Sequence, residues 1–369
     1  MIRISLAYSF LLSISIIGCK PDPVVDVCKD CDLTGIVYQP APYTMVKPAG
    51  FGEMYSPPDN PMTLDGVALG KKLFFDPILS KDNTISCGSC HFAAAGMTDN
   101  EVFSKGVNGT LGTRSSMSLI NVGYHYNGLF WDGRDMTLEE QALDPIENPV
   151  EMHNTWPEAV NKLIASSEYG PLFRKAFGIS NKIEITKELT AKALAQYERS
   201  LVSANSRYDA LFLSQTEFPT DQELRGYDMF FNHKGNDPSL PDAQCGHCHN
   251  GFLLTNNQYA NNGLDSFGVL TDYPDRGRGA VTNNYIDNGR FRTPTLRNIG
   301  FTAPYMHDGR FKTLEEVMEH YTEHIKKVQN LDPNLVSVKL TESQKQDILH
   351  FLKTMDDPSI PNNPHFKAN

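Results

Sequence analysis

The chain has 369 residues, with 33 lysine and arginine residues against 44 aspartate and glutamate residues, which gives a formal net charge of −11. A chain this acidic lacks the basic surface that nucleic-acid binding requires. The charge is compatible with docking of a basic protein partner, although solubility explains it equally well, and the length is sufficient for two domains.

The first 19 residues have the pattern of an export signal. Arg3 precedes an apolar run, residues 4–17, that is shorter than the roughly 20 apolar residues of a transmembrane helix. Cys19 directly follows the small residue Gly18, which favours a bacterial lipoprotein signal with Cys19 as the lipidated N-terminus. The alternative is a secretory peptide that is cleaved nearby. In both cases we expect a periplasmic protein, and in the first case a lipid-anchored one.

Residues 20–61 are rich in proline and show little apolar periodicity, which predicts a tether and an N-terminal wrap rather than a domain. Cys28 and Cys31 lie in this segment without a following histidine. We interpret this pair as a local disulfide rather than as a redox motif.

The pentapeptide Cys-x-x-Cys-His occurs twice, at residues 87–91 and 245–249. In such a motif two thiols form thioethers with the haem vinyl groups, and the adjacent histidine ligates the iron. The sequence therefore predicts two covalently bound haem c groups. The residues that hold them are Cys87, Cys90 and His91 in the first motif and Cys245, Cys248 and His249 in the second.

Helix signals begin at Leu64, and no alternating apolar pattern is long enough for a sheet. Thr155, followed by Trp-Pro-Glu, predicts a helix through about residue 164, and an apolar stripe predicts another over residues 185–203. Capping-box spacing predicts further helix starts at Thr220, Thr313 and either Thr341 or Ser343. The predicted fold is mostly α, with long loops.

Several sequence words occur twice, once around each haem motif. Residues 70–76 resemble residues 226–232, residues 119–124 resemble residues 296–301, and residues 131–140 resemble residues 307–316. This repetition predicts two cytochrome-c-like haem domains related by internal duplication, with long loops. The predicted boundaries are 62–205 for the N-terminal domain, 206–356 for the C-terminal domain and 357–369 for a tail.

These motifs together resemble the bacterial dihaem cytochrome c peroxidases and their MauG-type relatives, over residues 64–355. The motifs that carry the resemblance are the paired Cys-x-x-Cys-His, Phe-Trp-Asp-Gly-Arg at 130–134, Asn-Pro-Val-Glu-Met at 148–152, Thr-Pro-Thr-Leu-Arg-Asn at 293–298 and Ala-Pro-Tyr-Met-His at 303–307. The resemblance implies that the N-terminal haem is peroxidatic and that the C-terminal haem transfers electrons. It also implies that Trp131 lies between the haems, that Glu151 is the distal acid–base residue and that Gln141 is its pocket partner.

The chemistry of peroxide agrees with the implied role of Glu151. Heterolytic splitting requires a proton to move from one peroxide oxygen to the leaving oxygen, which a single carboxylate can accomplish. Without the resemblance, each of these residues has a simpler interpretation. Glu151 would be a surface charge after a turn, Gln141 would be a solvated helix residue, and Trp131 would be an aromatic residue of the core.

Two features depart from the peroxidase pattern. Many dihaem peroxidases carry a histidine in the loop after the first haem motif, whereas residues 92–123 contain none. Met97 or Met117 could replace it, but we favour an N-terminal iron with an open distal side. At the C-terminal haem, the position of the peroxidase methionine ligand is Tyr321, as in MauG-type relatives, and a phenolate lowers the reduction potential. The alternatives to Tyr321 are an apolar helix stripe of Leu314, Val317, Tyr321 and Ile325, or ligation by Met306 or Met318.

The resemblance also implies a calcium ion between the domains, bound in part by backbone carbonyls of Thr302 and Pro304. A side-chain amide of the family is replaced here by Ser115, after Arg114, which weakens this expectation because serine is a poorer ligand for a hard cation.

The sequence therefore predicts a dihaem c-type peroxidase that reduces hydrogen peroxide to water with electrons from a small c-type cytochrome or a similar donor. The first alternative is a MauG-like oxidase that acts on a protein substrate, and the second is a pure electron-transfer cytochrome. Family members are often dimers, so a homodimer is a further expectation.

Overall fold

The computed structural model describes residues 31–233, 237–335 and 338–368. The predicted signal peptide and lipobox, residues 1–19, lie outside the described residues, as does the first part of the predicted tether. Cys31 is disulfide-bonded, whereas Cys28 lies outside the described residues, so the pairing of Cys28 with Cys31 stays a prediction. In the described part of the chain, no helix combines the length and the apolar character that crossing a bilayer requires.

Helices and long loops build the described part of the chain, which confirms the predicted mostly-α class. The α-helices are α1 Leu64–Phe75, α2 Cys87–Cys90, α3 Leu138–Gln141, α4 Asp144–Glu147, α5 Trp156–Ala165, α6 Tyr169–Phe177, α7 Lys187–Arg199, α8 Asp221–Phe231, α9 Arg278–Thr282, α10 Leu314–Glu319 and α11 Glu342–Lys353. Two π-helical turns are Asp209–Leu213 and His320–His324. The strands β1 Tyr259–Ala260 and β2 Phe291–Arg292 pair in antiparallel fashion.

Short 3₁₀ turns lie in the loops between these elements. They are Pro77–Leu79, Ala93–Ala95, Val107–Gly109, Val122–Tyr124, Lys182–Glu184, Cys245–His247, Leu270–Asp272, Tyr285–Asp287, Ile299–Phe301, Ile360–Asn362 and Pro364–Phe366. The two haem motifs also lie in very short helical segments, which are helix α2 and the 3₁₀ turn Cys245–His247.

Threonine caps fix most of the predicted helix starts. The hydroxyl of Thr155 accepts a hydrogen bond from the amide of Glu158, and Thr220 and Thr313 form capping boxes. Thr341, rather than Ser343, caps α11. The helix predicted over residues 185–203 is shorter than expected and spans Lys187–Arg199; beyond its end, the carbonyl of Leu201 accepts a hydrogen bond from the amide of Asn121.

Two closely crossing helix pairs organise the two halves. Helix α1 packs on α7, and a Cβ atom at Gly70 would lie 1.9 Å from the carbonyl oxygen of Ala193. Helix α8 packs on α11, and a Cβ atom at Gly226 would lie 2.2 Å from the carbonyl oxygen of Asp347. Only glycine, which has no Cβ atom, permits these approaches. Residues of α1 and α7 belong to one hydrophobic core, and residues of α8 and α11 belong to a second.

The segment around the predicted boundary between residues 205 and 206 makes several buried polar contacts. The amide of Ser203 donates to the side chain of Asn121, and its hydroxyl donates to Asp357, which is fully buried. Asp209 forms a two-point ion pair with the buried guanidinium of Arg297. Buried polar contacts therefore hold the segment around the predicted boundary in place.

The two terminal segments pack on this framework. The segment 357–369 was predicted as a tail, and its described part, residues 357–368, folds back so that Ile360 and Phe366 are buried in the first core. In the predicted wrap, the amide of Leu33 donates to the carbonyl of Ser180, and Phe51 packs on Tyr124 of the first half and on Phe252 of the second.

Candidate active site

A cavity of about 980 Å³ opens beside the first Cys-x-x-Cys-His motif. Cys87, Cys90 and His91 all line it, and both thiols are free. The volume lies at the upper end of the range, about 300–1,000 Å³, that is typical of ligand and cofactor pockets. Two free thiols, an adjacent histidine and a cavity of this size fit a covalently attached haem, for which these three residues would supply the thioether bonds and the axial ligand.

His91 is oriented by its own loop. Its Nδ1 lies 2.9 Å from the carbonyl oxygen of Met97, a residue with φ of +61° that turns the backbone towards the ring. This contact assigns the Nδ1 proton, so Nε2 is the free, metal-binding nitrogen. Burial lowers the pKa of His91, which keeps the imidazole neutral and able to ligate iron.

The second motif has a matching arrangement. The Nδ1 of His249 lies 3.1 Å from the carbonyl oxygen of Leu254, and burial lowers the pKa of His249 to about 4. Cys245 and Cys248 are also free thiols. The second motif therefore presents the same three groups as the first and fits a second haem c.

Glu151 lines the cavity of the first motif. Its Oε1 accepts a hydrogen bond of 2.6 Å from Nδ2 of Asn148, whose own Oδ1 accepts from the amide of Val150. Burial raises the pKa of Glu151, and the hydrogen bond from Asn148 opposes this shift. A carboxyl group of raised pKa, held in a fixed orientation at the cavity wall, is suited to taking up and returning a proton.

Gln141 ends helix α3 and also lines the cavity. Its Oε1 is buried and has no hydrogen-bond partner among the described residues. Leaving a buried hydrogen-bond acceptor without a partner costs about 1–3 kcal/mol of folding free energy. Because Gln141 lines the cavity, a donor for its Oε1 could come from a ligand bound there. The Oε1 of Gln141 is therefore available to accept a hydrogen bond from a ligand in the cavity that Glu151 also lines.

Trp131 lies at the junction of the two halves and lines the same cavity. Its indole Nε1 donates to the carbonyl of Ser115 at 2.9 Å, and its own carbonyl accepts from the amide of Arg292 at 2.8 Å. Its ring lies edge-on to His307, with a centroid distance of 6.5 Å, and His307 in turn stacks on Phe291 at 3.6 Å. The tryptophan is therefore half-buried between halves, outside the three hydrophobic clusters of the described residues.

The loop after the first haem motif offers no imidazole to the cavity. Among the described residues that line it, His91 is the only histidine. The side chain of Met97 is fully buried in the first core, and its carbonyl already holds His91. Met117 does line the cavity, where its Sδ lies 3.8 Å from Nη2 of Arg292.

Tyr321 and Met306 meet at one amide near the second motif. The Nδ2 of Asn262 lies 3.3 Å from the hydroxyl of Tyr321 and 3.5 Å from Sδ of Met306. Met318, by contrast, is packed inside the second core. Burial raises the pKa of Tyr321 to about 12, so the phenol is protonated at neutral pH unless a cation such as ferric iron displaces its proton.

The helix stripe that was the alternative for Tyr321 is interrupted. Helix α10 ends at Glu319, a π-helical turn follows at His320–His324, and Ile325 has extended backbone. Such π-helical turns are frequent at functional sites.

Ser115, which stands where the family has a side-chain amide near the expected calcium ion, has protein partners. Ser115 is buried, its hydroxyl donates to the carbonyl of Met306 at 2.9 Å, and its amide donates to the carbonyl of His307. The described residues contain no cluster of three or more histidine, cysteine or carboxylate side chains that could hold a metal ion.

Two cavity residues, Glu198 and Arg292, were not identified from the sequence. Both are buried, and neither side chain has a protein oxygen or nitrogen as hydrogen-bond partner among the described residues. Glu198 directly follows Tyr197 of the predicted apolar stripe. A charged residue next to a buried helix face was therefore the sequence signal that could have identified Glu198. Arg292 lies in a two-residue strand and gave no signal.

Comparison with known proteins places these features in context. A family model described as "Di-haem cytochrome c peroxidase" matches residues 65–217. The cytochrome c551 peroxidase of Nitrosomonas europaea is 39% identical over 264 residues, which cover 70% of this chain and 73% of the relative. The methylamine utilization protein MauG of Methylorubrum extorquens is 33% identical, with 81% of this chain and 80% of the relative covered.

Solved structures give the same picture. A crystal structure of a MauG-like protein associated with microbial copper homeostasis has a TM-score of 0.80 and 32% identity, and the match covers 88% of this chain and 99% of that one. The dihaem peroxidase BthA from Burkholderia thailandensis has a TM-score of 0.69 and covers 90% of this chain and 99% of its own. At 23% identity, BthA supports the fold alone.

Proposed function

Because the chain belongs to the dihaem cytochrome c peroxidase and MauG family, we propose that it is a haem-dependent peroxidase that reduces hydrogen peroxide to water. Each peroxide consumes two protons and two electrons and yields two water molecules. The electrons come from a small c-type cytochrome or a similar donor, as the names of the relatives suggest. The observation that carries the proposal is a single cavity lined by both Cys87 and Cys90, by His91 and by the proton-transfer candidate Glu151.

The residues of the cavity have distinct proposed roles. The haem, when bound, supplies iron for peroxide coordination and electrons for cleavage of the O–O bond. Glu151 accepts a proton from one peroxide oxygen and returns it to the leaving oxygen, and Asn148 holds its carboxylate in place. Gln141 offers its unpartnered Oε1 to a hydroxyl donor in the same cavity.

We propose that residues 62–205 and 206–356 are haem domains related by duplication. In both halves a haem motif follows a glycine-containing helix that crosses a partner helix closely, at Gly70 and at Gly226. Asn121 and Asn298 both have left-handed backbone before a 3₁₀ turn. The capping boxes of Thr137 and of Thr313 are a third correspondence.

In this arrangement Cys245, Cys248 and His249 would hold an electron-transferring haem, and Trp131 would lie on the route from it to the haem held by Cys87, Cys90 and His91. The edge-on contact of Trp131 with His307, and the hydrogen bond from Arg292 to its carbonyl, support this route because both partners belong to the second half. The acidic net charge of −11 suits a basic donor protein.

A MauG-like oxidation of a protein substrate is the second candidate function. It is favoured by Tyr321, which lies beside the second motif with Asn262 as partner, and by the absence of a second histidine among the described cavity residues. We propose Tyr321 as the axial ligand of the C-terminal haem and an N-terminal iron with an open distal side. Electron paramagnetic resonance of the oxidised protein tests the open site, and two entirely low-spin haems would instead indicate a pure electron carrier.

The remaining proposals concern the localisation of the protein, a calcium ion and the oligomeric state. We propose a periplasmic protein that is anchored through a lipid on Cys19, which mass spectrometry of the mature N-terminus tests. We also propose a calcium ion at the carbonyls of Thr302 and Pro304, near Ser115, whose hydroxyl donates its proton to the carbonyl of Met306. Calcium analysis before and after chelation tests this site, and light scattering tests a homodimer.

The decisive experiment is peroxide-dependent oxidation of a reduced small c-type cytochrome. Loss of a general acid–base group typically costs about 10²- to 10⁴-fold in rate, so Glu151→Gln should lose most turnover while both haems remain attached. Glu101→Gln, an exposed carboxylate in the loop after the first haem motif that does not line the cavity, is the matched control and should retain turnover. Negligible turnover in the wild-type protein with both haems intact would favour the oxidase function.

A further inference from the structure

Arg292 is a buried cation without a counter-ion. Its side chain is 4% exposed, and its Nε and Nη1 atoms have no hydrogen-bond partner among the described residues. Its Nη2 has only Sδ of Met117, at 3.8 Å. Burial lowers the pKa of Arg292 to about 10, so the guanidinium is still charged at neutral pH.

The other deeply buried arginines of the described chain do have carboxylate partners. Arg199 is bound at two points by Glu139, with both contacts at 2.7 Å, and Arg297 is bound at two points by Asp209. An unpaired buried charge costs several kcal/mol, which explains these pairs. Arg292 therefore needs an anion that the described protein residues do not supply.

The location of Arg292 indicates where this anion lies. The residue lines the same cavity as Cys87 and His91, although it belongs to strand β2 of the second half. Its amide is fixed by the carbonyl of Trp131 at 2.8 Å, so its position depends on the contact between the halves. The cavity wall thus contains one fixed guanidinium whose N–H groups have no oxygen acceptor from the protein.

We propose that the guanidinium of Arg292 binds a propionate carboxylate of the haem attached through Cys87 and Cys90, as a positioning residue supplied by the opposite half. A guanidinium fork matches a carboxylate at two points, and haem brings two carboxylates into this cavity. The inference rests on the proposed haem of the first motif but not on peroxide turnover. The pairing ties the N-terminal haem to the second half, next to Trp131.

The pairing has an electrostatic consequence. A buried positive charge next to the haem carboxylate compensates its negative charge and so favours ferrous over ferric iron at this haem. Removing it should lower the reduction potential of the N-terminal haem. The released carboxylate should then titrate with pH, so the potential should become more dependent on pH.

Spectroelectrochemical titration of the full holoprotein tests this inference. Arg292→Gln should shift the potential of the N-terminal haem downward and increase its pH dependence, and Arg292→Lys should show a smaller shift. Arg290→Gln is the matched control, because Arg290 is two residues away and pairs with Asp287. An unchanged N-terminal potential in Arg292→Gln, or a shift confined to the C-terminal haem, would overturn the inference.

A second measurement covers the case in which Arg292→Gln does not assemble. Resonance Raman spectra report the propionate bending band, which is sensitive to hydrogen bonding of the carboxylate. This band should move in Arg292→Lys and stay in place in Arg290→Gln, whereas identical bands in the wild-type protein and Arg292→Lys would refute the pairing. Because neither readout needs peroxide, a protein with the expected shifts but no turnover would retain the inference and lose only the proposed function.

Discussion

The Nδ2 atom of Asn148 donates to Oε1 of Glu151 at 2.6 Å, and this hydrogen bond opposes the effect of burial on the carboxyl group. The two residues lie three positions apart in the loop after helix α4, and the side chain of Asn148 also accepts from the amide of Val150. A local turn therefore sets both the orientation and the acidity of the proposed proton-transfer group.

Removal of this hydrogen bond should shift the pH profile of the peroxidase. Glu151 must be ionised to accept a proton, so activity should rise with pH through its raised pKa. Asn148→Ala removes the contact that favours the ionised form, so the acid limb of kcat/KM should move to higher pH, with a several-fold loss at the acid edge. An acid limb at the same pH in both proteins would exclude this role for Asn148.

Substitution of Tyr321 should change the C-terminal haem alone. A phenolate ligand favours ferric iron, so Tyr321→Phe should raise the potential of that haem and alter its absorption spectrum. Met306→Leu is the control, because Met306 contacts the same Asn262 amide without being the proposed ligand. If Met306→Leu changes the spectrum and Tyr321→Phe does not, the ligand is the methionine.

Local signals in the sequence predicted the parts of the protein that depend on local chemistry. Thr155 and Thr220 cap their helices because a hydroxyl reaches an amide three residues later, whatever the rest of the fold does. Likewise the haem motifs need only five adjacent residues. The strands Tyr259–Ala260 and Phe291–Arg292 were not predicted, since two residues are too few for an alternating pattern.

The remainder depends on segments that are distant in the chain. Phe366 resembles an ordinary residue of a C-terminal tail in the sequence, and only folding back onto the first core buries it. Arg292 resembles an ordinary charged residue beside Phe291. Its importance follows from the cavity that the opposite half contributes, and no pattern within a short window reports such a neighbour.

The two glycine crossings should be sensitive to a single methyl group. Gly→Ala in a helix normally gains roughly 0.5–1 kcal/mol. At Gly70 and Gly226, however, the new Cβ would lie about 2 Å from a backbone oxygen, and overpacking typically costs about 1–3 kcal/mol. Gly70→Ala and Gly226→Ala should therefore lower the free energy of unfolding in urea. Gly35→Ala, which meets no atom within 4 Å, should leave it unchanged, and equal stability of all three variants would contradict the close crossings.

Glu198 should make the stability of the protein depend on pH. Burial raises its pKa to about 8, so the native state holds a proton that the unfolded chain releases near pH 4.5. Stability from this group is present below pH 4.5 and is lost as the pH rises to about 8. A difference of one pKa unit between the folded and unfolded states corresponds to about 1.4 kcal/mol of stability. The free energy of unfolding of Glu198→Gln should therefore exceed that of the wild-type protein by roughly a few kcal/mol at pH 8. At pH 4 the two proteins should be equally stable.

The measurement is the thermal midpoint of the holoprotein at several pH values. Glu188→Gln, an exposed carboxylate on the same helix α7, is the matched control and should follow the wild-type curve throughout. A difference between Glu198→Gln and the wild-type protein that stays constant from pH 4 to pH 8 would mean that Glu198 is not a buried, protonated group. A difference in thermal midpoint that appears only above pH 4.5 would show that Glu198 titrates in the folded protein. The wall of the proposed haem cavity would then contain a second titrating carboxyl group in addition to Glu151, because both residues line that cavity.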